Sequence, residues 1–85
     1  MKIVRGTVVR SIAGRDADSF MAVVALDESG VYVCDGHARP LERPKRKNPL
    51  HLRATRCVLD ETVLAENKSL KKALGAFAGS RDMEA

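Results

Sequence analysis

The sequence predicts a small, mainly β domain: a barrel of short strands followed by one C-terminal α-helix. Three observations predict it. Short alternating or two-sided apolar stretches fill the first 34 positions, a basic segment punctuated by prolines follows, and helical spacing appears only near the end. With 85 residues there is room for a single domain. A chain of that size buries about 60–65% of its unfolded surface, so its core is modest.

The first strand is read from "KIVRGTVVRSI", which alternates imperfectly, placing Val4, Val8 and Ile12 on one face with Gly6 between them, and whose valines and isoleucines suit a strand. "FMAVVALD" is apolar on both faces, which suits a strand covered on both sides. "DESG" is a turn and "VYVCD" a third strand, so the three form an antiparallel meander. In "DGHARPLERPKRKNPLHL" the prolines at 40, 44 and 49 each remove a backbone donor. That allows at most a short edge strand around residues 39–41, with the remainder an extended arm. "HLRATRCVL" returns as a last strand with Leu52 and Ala54 in one register.

A helix follows. Asn67 is its expected N-cap, Leu70, Ala73, Leu74 and Phe77 form its apolar face, and Gly79 ends it. An earlier helical turn at Val63 and Leu64 is capped by Asp60. Closely spaced strands followed by one helix suggest an SH3-like barrel. The barrel spans residues 1–58 and includes a basic arm at 37–53. Residues 59–79 form a helical appendage, and 80–85 are expected to fray.

Composition excludes several function classes. The histidines are His37 and His51, and no nucleophile elbow, phosphate-binding glycine loop or catalytic carboxylate pair accompanies them. Asp16 and Asp18 lie in a loop where solvation explains them, so the chain is read as non-enzymatic, without a small-molecule substrate. Cys34 and His37 have C-x-x-H spacing, but five residues separate His51 from Cys57, and Cys34 falls within a strand pattern. It is read as a buried thiol, and no metal or other cofactor is implied. No apolar run reaches membrane-spanning length, the start carries no signal-peptide core, and the two cysteines suit a reducing compartment. The expected location is cytoplasmic.

Charge is the informative feature. Residues 35–56 carry seven basic and two acidic side chains, a balance of +5, whereas the whole chain sums to +4. Within "RPLERPKRKNPLHLR" six of fifteen residues are basic and one is acidic. Such a local field favours a polyanion. An anionic membrane fits less well, because no aromatic or amphipathic helix flanks the segment. There is no Trp, and Phe20, Tyr32 and Phe77 each have a core position to fill, so a stacking platform for single strands is poorly supplied. Phosphate and shape contacts to folded RNA or a duplex fit better. Arg39, Arg43, Lys45, Arg46, Lys47 and Arg53 are the expected phosphate contacts. The alternative is a protein-interaction module whose basic arm grips an acidic partner.

The loop in "SIAGRDADSF" is longer than a plain hairpin needs. With its flanks it carries a resemblance. The run Gly6-x-Val8-Val9-x-Ser11-x-Ala13-Gly14-Arg15-Asp16, the Asp35-Gly36 turn, Pro44-Lys45-x-Lys47 and then His51-Leu52 occur in that order. Residues 6–55 thereby resemble the KOW-domain RNA-binding family, in the branch related to KOW-containing large-subunit ribosomal proteins. The resemblance implies an SH3-like barrel whose loop around Gly14 contacts RNA backbone, and work on or near the ribosome, with ribosomal proteins as further partners. Gly14 suits that role because it lets a phosphate approach the main chain, with Arg15 at the loop tip. The family tends to follow this glycine with basic or glycine residues, whereas Asp16 and Asp18 here place carboxylates beside Arg15. That shifts the weight of phosphate binding to residues 39–53.

Overall fold

A computed structural model describes residues 3–13 and 19–79, with side chains through Phe77. Its five strands are β1 (Thr7–Ser11), β2 (Phe20–Asp27), β3 (Gly30–Cys34), β4 (Lys45–Lys47) and β5 (Leu52–Val58). They form one antiparallel sheet in the order β4-β3-β2-β1-β5. β1 to β4 make a meander, and β5 returns beside β1. The expected meander is therefore present. Closure into a barrel is not completed by strand pairing among the described residues, because β4 and β5 remain edges.

Both faces of the sheet are nevertheless covered. On one, Val8, Ala22 and Cys34 pack against Leu64, Leu70 and Leu74 of helices α1 (Glu61–Leu64) and α2 (Asn67–Gly79). On the other, Val9, Met21, Val23, Val31, Val33 and Leu52 bury one another. No described helix lies on that second face, so the sheet must curl over itself to exclude water from it. Of the face expected to carry Val4, Val8 and Ile12, only Val8 is core. Val8 and Val9 are both fully buried, one per face, while Val4 and Ile12 are each 39% exposed.

Bulges supply the curl. Thr7 pairs with Val58 and Val9 with Ala54, so two residue steps on β1 face four on β5. Inside that irregularity the buried Thr55 hydroxyl donates to the Val8 carbonyl at 2.7 Å, replacing a ladder bond. At the entry to β1, Gly6 has φ +96° and its N–H donates to Val23 O at 2.7 Å. A Cβ there would stand 2.4 Å from the Leu59 carbonyl oxygen, so only glycine fits.

Asp60 caps α1 as expected, its carboxylate accepting from Val63 N at 3.1 Å. Leu70 and Leu74 are core residues that hold α2 to the sheet rather than an exposed docking stripe. Phe20 and Phe77 meet edge to face with ring centroids 5.1 Å apart, adding specific aromatic contact at the end of the helix. Tyr32 does not occupy the core. It stands on the opposite face of β3 from Val31 and Val33, and its hydroxyl donates to Asp27 Oδ2 at 2.9 Å.

Four exposed carboxylates are held below the usual range by hydrogen bonds. Asp27 is lowered by the Ser29 hydroxyl, then by the Ser29 amide and Tyr32. Glu42 is lowered by Asn67, Asp60 by Thr62 and Glu61 by Arg5. A lowered folded value means stability that is complete above the unfolded pKa and lost as pH falls through the folded one. The urea midpoint is therefore expected to hold near neutrality and to decline as pH drops below about 4. An unchanged midpoint from pH 6 to 3 would contradict that assignment.

Candidate nucleic-acid interface

The segment read as an extended arm is folded against the protein. Its first half is organised by Asp35, whose Oδ1 accepts from both His37 N and Arg39 N at 2.8 Å. The amides of Asp35 and Gly36 in turn donate to Arg39 O at 2.9 and 3.2 Å. Gly36 has φ +80°, and a Cβ there would lie 2.4 Å from the Asn67 carbonyl oxygen. The turn therefore rests on the start of α2.

Asn67 secures the next stretch. The expected N-cap role is not what its side chain performs. Oδ1 accepts from Leu41 N at 2.7 Å and Nδ2 donates to Glu42 at 2.7 Å. The helix amide that an N-cap would serve, Leu70 N, instead bonds to Glu66 O at 3.0 Å. Leu41 packs on the helix-side core, and Cys34 Sγ donates to Pro40 O at 3.4 Å. Burial pushes the Cys34 thiol up to about 11, helped by the nearby charges of Asp35 and Glu42, so at neutral pH it is a protonated core group. Among the described residues, no three His, Cys, Asp or Glu side chains gather as a metal set.

The edge strand expected at 39–41 lies instead at Lys45–Lys47. Residues 39–41 are occupied by the Asp35 turn and contain Pro40, whereas residues 45–47 hold three consecutive available donors between Pro44 and Pro49. β4 pairs Val31 with Lys47, Tyr32 with Arg46 and Val33 with Lys45. Residues opposite one another share a face. Lys45 and Lys47 therefore lie on the side of the self-packed core, and Arg46 lies on the Tyr32 side.

Between β4 and β5 the chain makes a 3-10 turn, Pro49–His51, that composition alone did not reveal. Asn48 caps it, accepting from Leu50 N at 2.9 Å, and Pro49 fixes its first φ. The Asn-Pro pair is the signal that marks it in the sequence. The turn brings the two edges of the sheet together. Lys47 Nζ reaches Ser11 Oγ at 3.3 Å, and Ile12 N donates to His51 O at 2.9 Å.

The expected phosphate contacts therefore divide. Arg39 is half-buried, and its Nε is buried without a hydrogen-bond partner. Arg43 is exposed on the turn beside Pro40. Arg46 is exposed but spends one guanidinium N–H on Ser29 O at 2.9 Å, pinning the β2–β3 hairpin. Arg53 is exposed on β5, directly across from Arg10 of β1. Arg10, not among the residues that the sequence alone marks, thus joins Arg53 across the β1–β5 pair, and the exposed Arg56 follows further along β5. Only strand register, not composition, could place Arg10 there. Gly14 and Arg15 lie outside the described residues, but the loop that holds them springs from Ser11, Ile12, Ala13 and Ser19. Its stem therefore adjoins Lys47 and His51.

A shallow groove of about 680 Å³ runs between the β2–β3 hairpin and the Asn48–Pro49 corner. Asp27 and Glu28 line it together with Arg46 and Lys47, so its sign is mixed and it is a poor phosphate channel. The 3-10 corner contributes Asn48 and Pro49 to the same groove, alongside Asp27 and Glu28. No protein-family model matches this chain, and no curated protein matches its sequence.

Proposed function

We propose that this chain is a non-catalytic RNA-binding module, a small SH3-like barrel of the KOW type that works in the cytoplasm on ribosomal or other structured RNA, with ribosomal proteins as neighbours. The observation that carries this reading is the convergence at the 3-10 corner. Lys47 of β4, His51 of the turn and the stem of the loop containing Gly14 and Arg15 are tied together there by the Lys47–Ser11 and Ile12–His51 hydrogen bonds, and Arg53 follows the turn on β5. The order of strands, a meander with β5 returning beside β1, supports the barrel reading.

Arginine forks grip phosphates bidentately and lysines supply point charge. Arg39 Nε is buried without a partner, so that atom is not open to a phosphate oxygen and the contact rests on the more exposed basic residues. If about four to six phosphates are engaged, log affinity for RNA should fall with log salt at a slope near −3 to −5. Titration of a structured RNA over a salt series reads this directly. A complex indifferent to salt would remove the proposal.

One observation favours a rival. β4 is an open, cationic edge to which an acidic peptide could add as a strand. The ratio of absorbance at 260 to 280 nm for freshly purified protein, before and after a high-salt wash, separates the two. Co-purifying nucleic acid supports the RNA reading, and its absence favours the peptide.

A further inference from the structure

We propose that the tip of the 3-10 turn, Pro49 and Leu50, is an apolar wedge that seats against an unstacked base. The preferred RNA is then one whose stem is interrupted by a bulged nucleotide rather than one whose stem is fully paired. This rests on the RNA-binding reading and narrows its substrate class.

Leu50 is 81% exposed, well above Val58 at 57% and the other exposed large apolar side chains. Single surface leucines are common, so exposure alone means little. Its mounting is the informative part. Pro49 fixes the backbone ahead of it, Asn48 Oδ1 holds its amide at 2.9 Å, and His51 is tied to Asn48 O and to Ile12 N, each at 2.9 Å. The side chain is thus projected from a turn braced by its own cap and by the residue that follows β1. Little conformational entropy is left to lose when it engages a partner.

Its surroundings define the partner. Lys47, bonded to Ser11, lies just before the turn and the exposed Arg53 just after it on β5, so cationic groups stand close to the tip along the chain on either side, while Asp27 and Glu28 share the groove that Pro49 lines. The apolar surfaces that a nucleic acid offers are base faces. In an unbroken A-form helix those faces are stacked, and the protein meets phosphates and 2′-hydroxyls. A bulged or looped base is already splayed, and leucine and proline are residue types that wedge against such steps. Ile12, 39% exposed and bonded through its amide to His51, widens the patch toward the loop stem.

The test is fluorescence titration of two hairpins of equal length and charge, one fully paired and one with a single-nucleotide bulge carrying 2-aminopurine. Wild type and Leu50→Ala are compared in about 0.15 M salt. Wild type should prefer the bulged hairpin by about tenfold and change the probe's emission, in line with burial of one leucine. Leu50→Ala should bring the preference below about twofold, while its affinity for the paired hairpin and its salt slope stay at wild-type values. Such an exposed side chain contributes little to folding, which circular dichroism checks. A preference that survives in Leu50→Ala, or that wild type lacks, overturns the wedge and leaves RNA binding standing. Failure of wild type to bind either hairpin removes RNA binding, and the wedge with it.

Discussion

Leu70→Ala is expected to lower the stability of the folded chain by about 2–5 kcal/mol. Leu70 is fully buried where α2 meets Val8, Ala22 and Cys34, so the truncation leaves a cavity that neither helix nor sheet can readily collapse to fill. Domains of this size carry roughly 0.05–0.15 kcal/mol per residue, so the loss is a large share of the whole. The melting temperature should drop by about 10–30 °C. Leu70→Met, which conserves volume, should lose less than about 1.5 kcal/mol. The site feels the change as well. Asn67 holds Leu41 and Glu42, so loosening α2 releases the turn that positions Arg39 and Arg43. A Leu70→Ala chain with wild-type melting would mean that α2 is an ornament on the sheet rather than half of its core.

Replacing Lys45, Arg46 and Lys47 together by glutamine should weaken RNA binding by about 30- to 500-fold in 0.1 M salt and reduce the salt slope by about 2–3. The range follows from geometry. Lys45 and Lys47 share one face of β4 while Arg46 lies on the other, where it also bonds to Ser29 O, so two or three phosphate contacts are at stake. Glutamine keeps the stems and some hydrogen-bonding capacity, which protects the β2–β3 hairpin. The melting temperature should therefore move little compared with the affinity. An unaltered slope in a folded triple variant would shift the phosphate contacts away from β4.

Much of the fold is legible because its signals are local. The two-sided apolar run of β2, the Gly30 turn, the 70-73-74-77 stripe of α2 and the Asp60 cap each lie within a few residues of chain. What is not legible depends on partners distant in sequence. Asn67 looks like a cap, but its amide is recruited by Leu41 and Glu42, about 25 residues earlier, and that outcompetes the local bond. Tyr32 looks like core, yet β3 register turns it to the outer face beside Arg46. Charge marks the basic segment, but its proline content predicts an arm where Asp35 and Asn67 fold it back. Composition therefore marks which residues are cationic, and register decides which of them can act together.

The edge made by β4 has a consequence for the protein at high concentration. Among the described residues β4 is an edge strand held on one side by β3, and an edge invites another molecule's strand; two copies meeting there would set three positive side chains against three more. Pro44 and Pro49 stop the strand from lengthening in either direction. The same residues that attract a polyanion thus act as a guard against self-association, keeping one molecule's sheet from becoming a template for the next.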